Sequence, residues 1–237
     1  MLSTILFDLD GTLLPMDQDH FIGAYMGEVT KRFASSREEG ERLVKALWKG
    51  IDAMLNNDGR AYNSEVFWDT FAGILGQEIR EKEGEFDDFY AGEFERARAV
   101  CGENPLARAC IDELRQKGYM LVCATNPVFP AVATKTRMAW VGLAYEDFVY
   151  VTDYANSRYC KPSPGYYLEL LDVIGKTPQE CLLVGNSLKE DMPAAALGMD
   201  TYLITDCLID GDGSINDHKN GSFEDFVRYA RSLPAVK

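Results

Sequence analysis

Ser3-Thr4-Ile5-Leu6-Phe7-Asp8-Leu9-Asp10-Gly11-Thr12 is the stretch on which the reading of this chain turns. Ser3 to Phe7 is short, mostly apolar and partly β-branched, and it stops at a polar turn, as a buried strand does. Two carboxylates two residues apart, where an extended strand breaks into a glycine turn, can serve one centre from different directions. Asp8 is placed to attack an electrophile or bind a metal, and Asp10 to handle protons. An Asp-Gly turn by itself is a common loop feature, so the meaning of these residues depends on the rest of the chain.

From about Asp17 to Val100 the pattern becomes helical. Phe21, Tyr25, Val29 and Phe33 recur every four residues, as do Leu43, Leu47, Ile51 and Leu55. Phe67, Phe71 and Ile74-Leu75 come next, and then Phe86, Phe89-Tyr90 and Phe94. Four amphipathic helices are expected here, with the aromatic residues forming their core. After Asn104-Pro105 strands and helices alternate. The helices are expected over 106–117, from Pro127 to about Trp140, after Pro164, over 189–197 and up to Leu233. The strands are expected over 119–124, 148–151, 181–184 and 201–204, and 206–222 reads as a polar turn. Such alternation implies βαβ units and a doubly wound parallel sheet of the Rossmann type, covered on both faces. The expected organisation is an α/β core formed by residues 1–15 and 101–237, with a helical domain at 16–100 inserted after the first strand.

In a sheet of this kind functional groups gather beyond the carboxyl ends of the strands. Four of those ends carry distinctive groups. They are Asp8 and Asp10, then Thr125 and Asn126, then Lys161 before Pro162-Ser163-Pro164, and finally Asn186 with Asp191. Carboxylates, a hydroxyl and an ammonium together suit a phosphoryl group with Mg²⁺, because cation and ammonium offset the spread negative charge. His20 is expected at the surface, and Arg137 and Tyr154 are candidates for supporting positions around the site. Gly175-Lys176-Thr177 is not a phosphate-binding P-loop, since the pattern needs glycine where Leu170 stands. Asp210-Gly211-Asp212-Gly213 is not a Ca²⁺ loop, since the required glycine is replaced by Ile215.

Four of these segments, in this order, resemble the motifs of the haloacid dehalogenase superfamily across nearly the whole chain. Asp8-Leu9-Asp10-Gly11-Thr12 is similar to its first motif, and Leu121-Val122-Cys123-Ala124-Thr125-Asn126 to its second. Lys161 in Cys160-Lys161-Pro162-Ser163-Pro164 matches the third, and Gly185-Asn186-Ser187-Leu188-Lys189-Glu190-Asp191 the fourth. The helical insertion resembles the family's helical cap. The resemblance implies that Asp8 attacks phosphorus to form an aspartyl-phosphate. Asp10 would protonate the leaving alcohol and then activate water. Thr125, Asn126 and Lys161 would hold the phosphate, and Mg²⁺ would sit among Asp8, Asp10, Asn186 and Asp191. It further implies a phosphatase of a small phosphorylated metabolite. Asp10 speaks against a dehalogenase, which needs no acid for a leaving oxygen. A phosphomutase, then a dehalogenase of the same superfamily, and an inactive binding module remain the alternatives. Asn186 departs from the family's pattern, where an acid is usual, and removes one negative charge near the metal.

Composition agrees with this class. The chain has 237 residues, 46% of them hydrophobic, which suffices for a large core. With 24 Lys and Arg against 38 Asp and Glu, the net charge is −14, which argues against nucleic acid or an anionic membrane as partner. The inserted segment and the remainder each carry half of that charge. The N-terminal residues do not resemble a secretory signal, the six cysteines are dispersed, and no apolar run is long enough to span a bilayer. Free thiols and a cytoplasmic setting are therefore expected.

Overall fold

A computed structural model describes residues 1–209 and 213–236. The acidic stretch Asp210-Gly211-Asp212 lies outside the described residues. Six strands form one sheet in the order β3-β2-β1-β4-β5-β6, with every neighbouring pair parallel. They are β1 (Thr4–Phe7), β2 (Met120–Cys123), β3 (Tyr150–Val151), β4 (Cys181–Gly185), β5 (Asp200–Ile204) and β6 (Lys219–Gly221). β1 is central and completely buried, as its unbroken apolar run demands. Its side chains alternate between two layers. Ile5 and Phe7 pack with α5 (Ala107–Gln116) and α8 (Phe223–Ser232), while Leu6 packs with Tyr166, Leu170 and Leu171 of α7 (Pro164–Ile174). The chain is thus the expected α/β type, with a parallel sheet between helical layers.

Helix ends obey the local chemistry. Ser163 caps α7 through its side chain, Pro164 occupies the first turn, and Gly175 closes the helix in the left-handed conformation. Between β1 and α5 lie α1 (Gln18–Phe33), α2 (Arg37–Leu55), α3 (Asn63–Leu75) and α4 (Glu83–Ala91), with 3₁₀ turns at Gln77–Lys82 and Glu93–Val100. The chain leaves and rejoins the sheet region side by side. Met16 and Cys101 form an antiparallel bridge, and the Gly102 N–H donates to the Pro15 carbonyl at 2.7 Å. The aromatic residues of the insertion do more than fill its own interior. Tyr25 and Phe94 pack on Phe129 at 5.4 and 6.2 Å, and Phe94 packs on Trp140 at 5.4 Å, so an aromatic seam joins insertion and sheet region.

Two expectations about local structure are corrected. The helix expected over 189–197 is only a 3₁₀ segment, Met192–Leu197. Pro193 lacks the N–H that would bond back to residue 189, and the preceding turn folds the Asp191 and Met192 N–H groups onto the Ser187 carbonyl. The expected polar turn 206–222 contains a sixth strand, Lys219–Gly221, which pairs with β5 at the sheet edge. Lys-Asn-Gly has no strand pattern of its own. Backbone pairing with an existing edge creates this strand.

Candidate active site

The register of β1 builds the site. Phe7 lies level with Cys123 on one side and Val184 on the other. The Asp8 N–H donates to the Val184 carbonyl at 2.8 Å, and the Ala124 N–H to the Phe7 carbonyl at 2.7 Å. Asp8 therefore emerges with Thr125, after β2, on one side and Asn186, after β4, on the other, beside the junction of β1 and β4. That is the point at which the strand order reverses, and a crevice opens there in sheets of this class.

Lys161 lies at the centre. Its Nζ donates to Asp8 Oδ1 at 2.9 Å and to Asp191 Oδ1 at 2.6 Å, and its side chain is almost completely buried. Burial pulls the ammonium pKa down, but Asp191 and Asp8 outweigh it and raise the pKa well above the ordinary lysine value. Asp8 is shifted up to about 7: burial is the largest cause, Asp191 and Asp10 add to it, and Lys161 opposes it. The Lys161–Pro162 peptide is cis. The second oxygen of Asp191 accepts the Ser187 N–H at 3.0 Å, so both of its oxygens are committed within the protein. Gly185 makes this possible, because a Cβ there would lie 2.2 Å from the Asp191 carboxyl carbon.

Thr12, the last residue of the opening stretch, is a tie that sequence reasoning left without a role. Its hydroxyl is 3.2 Å from both Asp8 Oδ2 and Asn186 Oδ1. Gly11, at φ +87°, lets the chain pass under the Asn186 amide, whose nitrogen would lie 2.1 Å from a Cβ there. Asn186 Nδ2 donates to the Cys207 carbonyl at 2.6 Å, which aims its oxygen at Thr12. Thr125 is held by its carbonyl, which accepts from Thr152 Oγ1 at 2.7 Å and from the Tyr166 hydroxyl at 3.0 Å. Asn126 uses its side chain to connect loops, accepting the Lys161 N–H and donating to Glu190 Oε2, each at 3.2 Å.

Asp10 pairs with Arg137, a fully buried guanidinium on α6 (Ala131–Trp140). Arg137 also donates to the Ala133 carbonyl and to Thr134 Oγ1, and its guanidinium carbon lies 4.4 Å from the Phe129 ring centre. The other Asp10 oxygen, Oδ1, is buried without a hydrogen-bond partner. Of the supporting candidates, Arg137 thus reaches the site. Tyr154 does not, and packs near Phe67 with a ring separation of 6.4 Å. His20 is exposed beside Asp17. Asn63, which no sequence pattern flagged, is fully buried and donates to the Pro127 carbonyl at 3.2 Å. It ties the start of α3 to the loop after β2, a contact visible only once the chain is folded.

Asp8, Asp10, Thr125, Asn126, Asn186 and Asp191 line a cavity of about 190 Å³ roofed by α1 and α2. The residues suit Mg²⁺ by the chemistry of their donors. Among the described residues no three acidic, histidine or cysteine side chains form a cation cage. Asp8 Oδ2 and Asn186 Oδ1 nevertheless face the same point, marked by the Thr12 hydroxyl. A single carboxylate with neutral oxygens and room for water is the set from which Mg²⁺ is usually held.

Similarity to known proteins agrees with this geometry. A phosphoglycolate phosphatase of Vibrio parahaemolyticus is 27% identical over 202 residues, covering 85% of this chain and 82% of the relative. A pyrophosphatase of Bacillus velezensis is 22% identical over 199 residues, covering 84% and 81%. The crystal structure of a phosphatase from Thermococcus onnurineus superposes with a TM-score of 0.63 at 21% identity, covering 99% of this chain and all of that one. An L-2-haloacid dehalogenase of Xanthobacter autotrophicus shares the fold at a TM-score of 0.57, with 18% identity and coverage of 98% and 100%. The haloacid dehalogenase-like hydrolase family matches residues 2–198, most of the chain, and the protein belongs to that family of hydrolases.

Proposed function

We propose that the protein is a Mg²⁺-dependent phosphatase that hydrolyses a small phosphorylated metabolite through an aspartyl-phosphate. The observation that carries this reading is the pair of carboxylates after β1, with Asp8 on Lys161 and Asp10 on Arg137. Two carboxylates held apart by separate cations can take separate roles. Asp8 attacks phosphorus, and the bond to the leaving oxygen breaks as Asp10 delivers a proton to that oxygen. Asp10 then takes a proton from water, whose oxygen attacks phosphorus and frees Asp8 and inorganic phosphate. Thr125 and Lys161 hold the phosphoryl oxygens, and Lys161 offsets the charge gathered on them and on Asp8. Asp8, the Asp10 carbonyl and Asn186 would hold Mg²⁺, while Asp191 orients Lys161. The bound ion supplies positive charge to the phosphoryl oxygens.

Residues 16–100 act in this reading as a cap over the site, hinged at the paired segments around Met16 and Cys101. Release of phosphate from a chromogenic phosphate ester with Mg²⁺ tests the proposal. Turnover is expected in the native protein and none in Asp8→Asn. Undiminished turnover in that variant, or in excess chelator, overturns the mechanism. A native protein with no turnover on any phosphate ester would instead be the inactive binding module to which Asn186 points.

A further inference from the structure

The phosphoglycolate phosphatase and pyrophosphatase relatives are named for substrates with a second anionic group beyond the phosphoryl group being transferred. Among the described residues that line the cavity of this chain, none is Lys, Arg or His. The charged side chains lining it are Asp8, Asp10, Asp191 and Glu190, all acidic. Lys161 and Arg137 are committed behind that wall, Lys161 to Asp8 and Asp191 and Arg137 to Asp10.

The roof is apolar. Phe21, Ile22 and Met26 of α1 and Trp48, Ile51 and Leu55 of α2 line the cavity. The three α2 residues lie at positions i, i+3 and i+7, on one helical face. Trp48 and Leu55 are 45% and 44% exposed, so part of each side chain is open to a ligand. The Tyr25 hydroxyl is taken up by the Tyr90 hydroxyl at 2.7 Å.

We infer that the substrate is a phosphomonoester of an uncharged, predominantly apolar alcohol, alkyl or aryl, whose leaving group lies against the α1–α2 face. The inference rests on the phosphatase reading and names the class of its substrate. An anionic leaving group would be desolvated beside four carboxylates with no cation among the described lining residues to meet it, whereas an apolar one covers Trp48, Ile51 and Leu55. The reaction is R–O–PO₃²⁻ plus water giving R–OH and phosphate, with no further reactant.

Two measurements on the native protein separate this inference from the reading beneath it. The first is phosphate release with Mg²⁺ from methyl, propyl and hexyl phosphate and from phosphoglycolate. kcat/KM is expected to rise about threefold or more per methylene, mostly through KM, with phosphoglycolate below propyl phosphate. In Ile51→Asn the hexyl-to-methyl ratio is expected to fall about tenfold. The second is binding of the non-hydrolysable alkylphosphonates and of phosphonoacetate, monitored by tryptophan fluorescence with Trp48→Phe as control. Affinity rising with chain length supports the apolar class even where no phosphate is released, an outcome that would sink the phosphatase reading alone. A flat chain-length series, or phosphoglycolate or phosphonoacetate outperforming the hexyl compounds, overturns the apolar class and leaves the phosphatase reading standing.

Discussion

Replacing Lys161 by Met removes the one cation between two buried carboxylates and keeps most of the side-chain volume. The ammonium sits 2.9 Å from Asp8 and 2.6 Å from Asp191. In an effective dielectric of about 20 each contact is a gross attraction of roughly 6 kcal/mol, offset by several kcal/mol for desolvating each ion. The loss on breaking such a pair is dominated by the charges left behind. Here that loss is about 3–5 kcal/mol of stability near pH 8, a large share of a typical domain's total. The penalty should shrink near pH 5, because Asp8, whose pKa burial raises to about 7, can then take up a proton. Urea denaturation of the native protein, Lys161→Met and Lys161→Met/Asp191→Asn at both pH values measures it. The double variant should recover about 2 kcal/mol at the higher pH, since one stranded charge is gone. Activity should fall about 10²-fold or more in either variant. A single variant within about 1 kcal/mol of the native protein near pH 8, or a double variant no more stable than the single one, would refute the reasoning.

Three further outcomes are expected. Gly11→Ala puts a Cβ against the Asn186 amide at a backbone angle that L-residues avoid, so it should cost about 1–3 kcal/mol and weaken Mg²⁺ binding, checked by thermal melts with and without the ion. Unchanged melts would discount the Gly11–Asn186 contact. Arg137→Met strands Asp10, whose Oδ1 already lacks a partner, and should lower kcat more than it changes KM. Arg137→Lys should recover stability better than kcat, because an ammonium cannot reproduce the guanidinium fork. Steady-state kinetics paired with denaturation of both variants would show it, and equal recovery would reduce Arg137 to a structural role. For the metal-free protein, Asp8 has a folded pKa near 7, raised from 3.8. Its contribution to stability is therefore present in full below about pH 4 and lost as pH rises to about 7, worth up to about 4 kcal/mol. Mg²⁺ should then stabilise the protein more at pH 7.5 than at about pH 5, readable as a larger rise in melting temperature. An equal rise at both values would contradict a buried, proton-competing Asp8.

Much of the fold was legible because its signals are local. The apolar run at β1, the four-residue spacing of Phe21, Tyr25, Val29 and Phe33, and the Ser163-Pro164 cap with its Gly175 stop all depend on neighbours in sequence. The strand at Lys219–Gly221 and the shortened 189–197 segment were not legible. The first exists because β5 offers a free edge, and the second because Asp191 is drawn back toward Ser187 and Lys161. The same division runs through the site. Asp8, Asp10, Thr125, Lys161, Asn186 and Asp191 could be named because each comes after a recognisable strand or turn. Thr12 and Asn63 could not be assigned a role, because the partners that tie them to the site, Asn186 and Pro127, are 174 and 64 residues away.

By itself the sequence determined that this is a parallel α/β hydrolase with an inserted helical segment and an acidic site at the strand ends. Backbone preference and side-chain periodicity are short-range, and they are enough to set the class and the order of the elements. Only the tertiary structure decided how the charges are shared out, with Lys161 between Asp8 and Asp191 and Arg137 on Asp10. Only it showed that Trp48, Ile51 and Leu55 share the cavity with the acidic residues and that none of its described lining residues is a cation. Pairings across the sheet and the exposure of one helical face depend on how distant segments pack, which no local pattern encodes.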